Sequence, residues 1–261
     1  MPVFLLSETL TFPPPHFARK DGLLAIGGDL SRERLLLAYR NGIFPWYSPG
    51  EPILWWSPDP RLVLYPEEIH ISRSLRKTLK KKQFQITTDK VFAEVIRACA
   101  ESRLDNDQQT WIVPEMIRAY CRLHQSGYAH SVEVWDKDEL VGGLYGLALG
   151  RAFSGESMFT YVKDASKTAF VYLAAFVKAL GFHMIDCQVK TNHLIRFGAK
   201  EIPRKDFLKH LEKALEFPDF RGKWNLRQEV IGELILKDMQ VPDKKGERDL
   251  GTAGVNLLPE N

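Results

Sequence analysis

Cysteine is scarce in this chain: Cys99, Cys121 and Cys187 are odd in number, and no two stand in a CxxC pair. A disulfide framework and a cysteine zinc site are therefore set aside, and the usage fits a reducing cytosol. Long apolar runs are missing too, and no stretch reaches the roughly 20 residues that a membrane span needs. The opening MPVFLLSETLTFPPP has no basic n-region, and its apolar run is short for a signal peptide. There is no internal repeat, and no Ser/His or Cys/His arrangement for nucleophilic catalysis is visible. Neither sign of charge dominates, since 36 Lys and Arg face 33 Asp and Glu for a net charge of +3. Such mild basicity permits a nucleic-acid partner without arguing for one unless the charge is clustered. What is there is ordinary for a globular protein: 261 residues, 44% hydrophobic, 26% charged and 11% aromatic. That length suits one large domain or two unequal ones. A cytoplasmic protein with no membrane partner is expected.

Residues 1–60 are rich in turns and aromatics. DGLLAIGGDL is broken by Gly27 and Gly28, and Asp29 or Ser31 caps a short helix over RERLLLAYRN that ends at Gly42. In IFPWYSPGEPILWWSPDPR the density of proline excludes regular helix, so Trp46, Trp55 and Trp56 are expected on a stiff irregular loop. At least one of Trp55 and Trp56 reads as a core plug, and Trp46 as an exposed stacking platform. From Arg61 the texture is α/β. RLVLYP is a strand, and ISRSLRKTLKKKQF a helix buried along Leu75 and Leu79. Arg73, Arg76, Lys77, Lys80, Lys81 and Lys82 put six cations into ten residues of that helix. Such a face is either merely solvated or meets a phosphate backbone. FQITTD is a strand, and two helices follow, separated by the polar loop LDNDQQTW that delivers Trp111. AHSVEVWDKDELVGGLYGLALG is a hairpin turning at Asp136 to Glu139. Beyond Val189 come a short helix, a turn and a second helix, then an amphipathic piece RQEVIGELIL. The tail beyond it lacks periodicity, so a C-terminal extension, 226–261, is expected to be partly disordered.

The chain is organised around 140–189. A glycine-punctuated strand pair, LVGGLYGLALGRAFSGESMF, leads into a capped helix, DASKTAFVYLAAFVKALGF, and a short buried strand, HMIDCQV. Alternation puts Glu156 and Met158 on one strand face, with Phe153, Gly155, Ser157 and Phe159 on the other. By the same rule Asp186 and Gln188 project together, with Ile185, Cys187 and Val189 opposite. A carboxylate and an amide on an apolar strand are either a satisfied structural network or part of a site. The order helix–strands–helix–strand is compatible with an acetyltransferase-type sheet. The glycine pair that would cradle coenzyme A phosphates at the helix start is missing from SGESMFTYVKDASKTA. A coenzyme A thioester is therefore not the expected acyl donor.

The runs GLLAIGGDLS, GIFPWYSPGEPILWWSPDPR, HISRSLRK, TWI, HSVEVW, LVGGLYGLALG, FSGESMF, DASKTA, IDCQV and GAKEIPR occur in this order over roughly residues 3–210. In them the chain resembles the leucyl/phenylalanyl-tRNA–protein transferases. The resemblance implies an α/β (α+β) protein with a small N-terminal domain, 1–60, and an acetyltransferase-like (GNAT-type) domain, 61–225. It implies transfer of Leu or Phe, less readily Met, from aminoacyl-tRNA to the N-terminal Arg or Lys of acceptor proteins. Such transfer marks the acceptor for the N-degron route and uses no metal or nucleotide cofactor. Carried over by position, Trp46 and Trp111 flank the terminal adenosine, which suits an enzyme reading a universal CCA end by stacking. Phe153, Gly155, Glu156, Ser157, Met158 and Ile185 hold the leucyl or phenylalanyl side chain. Leu144, Phe170, Leu173 and Val177 depart from the best-known family pattern and redistribute the volume of that pocket. The basic helix, Arg73 to Lys82, is the tRNA-facing element this reading implies.

Asp186 and Gln188 match the polar pair nearest the ester. A tRNA ester is already activated, so the enzyme must chiefly hold amine and carbonyl together and manage one proton. Asp186 is then either a base or the group that orients Gln188. A plain RNA-binding module would need the basic helix and tryptophans but not this pair. An aminoacyltransferase acting on a small molecule or on peptidoglycan would share the donor chemistry and differ in acceptor. A monomer is expected.

Overall fold

Two long antiparallel strands, β8 (Glu139–Leu149) and β9 (Ala152–Thr160), form the middle of the computed structural model. The structure describes residues 3–104, 110–225 and 227–240. The polar loop over 105–109 and the tail from 241 lie outside the described residues. The glycines of β8 let neighbours come close: a Cβ at Gly146 would stand 2.2 Å from the Ser154 carbonyl oxygen, and one at Gly142 2.6 Å from the Ala165 Cβ.

A sheet of seven strands grows outward from this pair in the order β11-β5-β10-β9-β8-β7-β6. Its other members are β5 (Arg61–Leu64), β6 (Gln85–Thr88), β7 (Ala129–Asp136), β10 (Met184–Gln188) and β11 (Lys200–Ile202). All neighbours run antiparallel except β9 and β10, which are parallel. A parallel pair needs a crossover, and α5 (Ala165–Ala179) supplies it. This helix is apolar nearly all round and is buried to match. Asp164 precedes it as expected, but in a left-handed conformation and without a capping bond. Its carboxylate instead accepts from Thr78 Oγ1 and Lys167 Nζ, tying α2 (Arg73–Lys80) to the start of α5.

A second sheet of four strands, β1-β2-β4-β3, comprises β1 (Phe4–Leu6), β2 (Leu23–Gly27), β3 (Phe44–Pro45) and β4 (Leu54–Trp56). The irregular loop expected around the tryptophans is thus partly ordered into strands. Proline is tolerated because Pro45 lies on the edge strand, where a missing N–H breaks no ladder. Trp55 is the expected plug, fully buried against Phe12 and donating from Nε1 to the Gly27 carbonyl at 2.8 Å. Truncating it would cost about 3–5 kcal/mol.

One hydrophobic cluster joins this small sheet and α1 (Arg32–Arg40) to α3 (Phe92–Leu104), α4 (Pro114–Gln125) and the Tyr145 side of β8. A second lies on the opposite face, under α5 and α8 (Gln228–Gln240). Ile231 and Ile235 of α8 are buried there beside Trp224. Beyond β10 the chain forms α6 (Asn192–Ile195) and α7 (Arg204–Leu215). The turn expected between these helices contains β11, which adds the last strand beside β5.

Candidate functional site

A cavity of about 550 Å³ opens where the two clusters meet the C-terminal end of β10. Phe44, Pro45 and Trp46 wall it from the small sheet, and Ser102 and Trp111 from the α3–α4 side. Leu144, Phe153, Met158, Phe170, Leu173 and Ile185 give it an apolar lining, while Gly155, Glu156 and Ser157 come from the middle of β9. Gln188, Val189, Thr191, His193 and Leu194 complete the wall beyond β10. With the exception of Val177, every residue expected from the sequence to meet adenosine or the aminoacyl side chain is on this wall, as is Gln188. Asp186 is not, nor are the cations of α2. Val177 is fully buried away from the cavity.

Strict alternation along β9 fails at the site. Tyr145 of β8 faces Ser157 and Gly146 faces Gly155, so Glu156 is an extra, bulged residue with no cross-strand partner. The bulge lets Gly155, Glu156 and Ser157 all reach the cavity. Gly155 itself is not crowded, since a Cβ there would find only the Asp186 carbonyl oxygen, at 3.7 Å. Its bareness therefore leaves room on the cavity side. β10 carries a matching irregularity: Asp186 faces Val63 and Gln188 faces Leu62, so Cys187 is unopposed; it is buried in the apolar cluster under α5 and borders the cavity as well. Gln188 has a φ of 61°, in the left-handed region, which is uncommon for a residue other than glycine and marks the main chain here as held by its surroundings.

Glu156 is the polar centre. Its Oε1 accepts from Tyr39 at 2.8 Å and from Gln188 Nε2 at 2.7 Å, and its Oε2 accepts from Tyr120 at 2.9 Å. Burial pushes its carboxyl up to about 7, against the pull of those three donors, with Asp186 adding a smaller upward push. Tyr39 and Tyr120 also touch each other through their hydroxyls. A hydroxyl has one hydrogen, so two tyrosines that both donate to Glu156 have none left for each other. When Glu156 is protonated it can donate to one tyrosine, that tyrosine to the other, and the second back to the carboxyl, which closes a ring of three. Both phenols are held well above their ordinary value, first by burial and next by Glu156.

Asp186 has a different setting from the one alternation suggests. Arg61 grips it from both sides, Nε to Oδ1 at 2.8 Å and Nη2 to Oδ2 at 2.7 Å, and both residues are buried. The Gln188 backbone N–H also donates to Oδ1, at 2.9 Å. Asp186 therefore fixes the main chain of Gln188, and it is Glu156 that receives the Gln188 side-chain amide. The Arg61 guanidinium lies between the rings of Phe44 and Phe207, 4.7 and 4.6 Å from their centroids. Both Asp186 oxygens are thus committed within the protein, and the residue lies off the cavity wall. Burial also holds the Cys187 thiol well above the ordinary range, which disfavours the thiolate form.

Four residues of the site went unforeseen in the sequence: Tyr39, Tyr120, Arg61 and His193. Tyr39 and Tyr120 sit on the buried stripes of α1 and α4, where an aromatic reads as core. Arg61, opening an otherwise apolar strand, was the readable sign that a buried carboxylate waits elsewhere. On α2, Arg73, Lys77 and Lys80 are exposed, as are Lys81 and Lys82 just past its end. Arg76 is half-buried and committed to the carbonyls of Ile71 and Met239. Trp46 is 42% exposed at the mouth of the cavity, tilted against Trp56 at 5.9 Å. A second concavity, of about 630 Å³, is an open trough along α7 lined mainly by charged side chains and shares no wall with the first. Among the described residues no cluster of His, Cys, Asp and Glu could hold a metal ion, and no helix is long and apolar enough to cross a membrane.

Residues 63–212 match the family model of the leucyl/phenylalanyl-tRNA protein transferase, and residues 28–59 match that of its N-terminal domain. The chain is 59% identical over 229 residues to the leucyl/phenylalanyl-tRNA–protein transferase of Desulfatibacillum aliphaticivorans, covering 88% of this chain and 98% of that one. It is 64% identical over 208 residues to the protein of the same name from Syntrophobacter fumaroxidans, covering 80% and 89%. Among solved structures, L-PGS from Bacillus licheniformis aligns over 83% of this chain and 72% of that chain at 13% identity. Its TM-score of 0.37 is too low for that likeness to bear on fold or function.

Proposed function

The chain belongs to the leucyl/phenylalanyl-tRNA–protein transferase family, and from that premise we propose that it moves Leu or Phe, less readily Met, from aminoacyl-tRNA to the N-terminal Arg or Lys of acceptor proteins. The products enter N-degron degradation. The enzyme works in the cytoplasm, as a monomer, and needs no metal or nucleotide cofactor because the tRNA ester is already activated. The observation that carries this reading is a single cavity running from exposed tryptophan to an apolar end, with a satisfied polar network between them. In this reading Trp46 and Trp111 stack on the terminal adenine. The amino-acid side chain enters the space among Leu144, Phe153, Met158, Phe170, Leu173 and Ile185, left open at Gly155. An apolar pocket separates near-isosteres by only about 1–3 kcal/mol, which suits a short list of accepted amino acids.

The ester then lies near Gln188. That side chain is held at its main chain by Asp186 and at its amide nitrogen by Glu156, so its amide oxygen is free to accept from the attacking amine. Holding amine and carbonyl in register is the main work asked of the site. The five exposed cations at and just past α2 take the tRNA backbone as positioning contacts without base readout. The domain reading, 1–60 and 61–225, is supported by the separate four- and seven-stranded sheets. The acetyltransferase-like reading is supported by the one parallel strand pair, β9–β10, bridged by α5 in an otherwise antiparallel sheet.

The test is transfer of labelled leucine from Leu-tRNA, with Phe-tRNA alongside, to peptides beginning with Arg, Lys, Ala or Glu. Product is expected on the Arg and Lys peptides alone. Equal product on all four would sink the acceptor assignment.

A further inference from the structure

The depth of an apolar pocket depends on what stands behind its wall as much as on the wall, because a close-packed interior passes strain on. Of Leu144, Phe170, Leu173 and Val177, only Phe170 carries a ring, and it lies on the cavity wall. Behind it stands Phe197, which is buried and takes no part in the wall. The two rings are tilted by 54° with their centroids 4.9 Å apart. Phe197 also meets His193, a second wall residue, nearly at right angles and at 5.2 Å. The Phe197 main chain has a firm seat. Its N–H donates to the Leu194 carbonyl at 3.0 Å, and its carbonyl accepts from the His70 N–H at 2.8 Å. Gly198, the next residue, packs so closely on the segment before α2 that a Cβ would stand 2.8 Å from the Glu68 carbonyl oxygen. A main chain held from both sides keeps the Phe197 ring in place, and that ring keeps Phe170 from withdrawing.

We propose that Phe197 determines donor specificity: by pinning Phe170 it fixes the depth of the aminoacyl pocket, and so the ranking of Leu against Phe. This rests on the function proposed above. Phe197 touches no substrate and is a positioning residue that acts through Phe170 alone. A phenylalanyl ring reaches further than a branched leucyl chain, so a Phe170 that can withdraw favours Phe-tRNA and a pinned one favours Leu-tRNA. A smaller or softer side chain at 197 leaves space behind Phe170, and neighbouring groups relax part of the way into such space. The pocket then deepens without any change to a residue on its wall.

The experiment measures kcat/KM of the full-length enzyme for Leu-tRNA and for Phe-tRNA, with one Arg-initiated peptide as acceptor and thermal melting to confirm folding. Phe197→Leu is expected to raise the Phe-to-Leu ratio about tenfold, the lower end of what a small change of fit in an apolar pocket discriminates. Phe197→Met keeps most of the volume without the rigid ring, stays folded if the leucine variant does not, and should move the ratio the same way. A merely structural loss would lower both donors alike and leave the ratio where it was. In a Phe170→Leu enzyme the change at 197 should move the ratio no further, because the ring it pins is gone. A ratio within about twofold of wild type in the folded variants at 197 would overturn the proposal. So would an equal shift with and without the Phe170 ring. A wild-type enzyme inactive with both donors would instead refute the proposed function, and this inference with it.

Discussion

Asp186→Ala should destabilise the protein before it says anything about chemistry. The change leaves Arg61 buried between Phe44 and Phe207 with no counter-charge, and strands the Gln188 N–H. Removing one partner of a buried, hydrogen-bonded ion pair costs about 3–5 kcal/mol, most of it the burden of the charge left behind. At roughly 2–4 °C per kcal/mol for a chain of this size, the melting temperature should fall by about 10 °C. Asp186→Asn keeps the shape and one acceptor oxygen, so it should lose less. Arg61→Met combined with Asp186→Leu removes both charges and should be more stable than Asp186→Ala alone, giving a large coupling in a double-mutant cycle. Urea unfolding of wild type, Arg61→Met, Asp186→Leu and the double variant closes the cycle, with Asp186→Ala measured beside it. The double variant should fold yet turn over about 10²-fold more slowly, because nothing then holds the Gln188 main chain in its left-handed conformation. An Asp186→Ala enzyme within 1 kcal/mol of wild type, or strictly additive losses, would refute the anchor role.

Glu156 sets a pH dependence of stability. Its native carboxyl titrates at about 7 against an ordinary value of 4.5, so between these the native state keeps a proton that the unfolded chain has released. Stability should therefore fall as pH rises through that window, by about 3 kcal/mol in all, and the wild type minus Glu156→Gln difference isolates the effect. Parallel curves for the two would refute it. Gly155→Ala should leave stability within about 1 kcal/mol, because the new methyl meets no protein clash, yet raise KM for Leu-tRNA. An unchanged KM would mean that this wall faces no ligand. Reversing Lys77, Lys80 and Lys81 should weaken binding of all tRNAs alike and flatten the salt dependence by close to one unit for each phosphate no longer neutralised. An unchanged slope would return α2 to a merely solvated face. Trp46→Ala and Trp111→Ala should each lose about 1–3 kcal/mol, chiefly as KM for charged tRNA. Insensitivity of a minimal aminoacyl-adenosine donor to both changes would remove the stacking role.

What the sequence made legible was whatever local rules control. The hairpin of β7 and β8 turns where expected, α1 starts at the Ser31 cap, and the apolar residues of the cavity lie on strands and a helix whose periods are plain. What it hid was long-range or irregular. Two bulges, at Glu156 and Cys187, defeat alternation at the two places where function concentrates. Each moves a polar side chain into a direction that a period of two cannot give. The partners of Glu156 and Asp186 come from α1, α4 and β5, far away in the chain; Arg61 signals only that some carboxylate is buried, and a buried tyrosine carries no local mark of the one it will meet.

That concealment has a physical logic. A polar group can sit in an apolar pocket only if distant elements converge to satisfy it, so the residues hardest to foresee are those that make the site possible. Arg61 joins β5 to β10, and Tyr39 and Tyr120 join α1 and α4 to β9, which places Gln188 where elements from both sheets are held together. The small N-terminal sheet thereby does more than carry the tryptophans. Phe44 of β3 stacks on the Arg61 that anchors Asp186, so loosening that sheet should disturb Gln188 before it disturbs the apolar pocket.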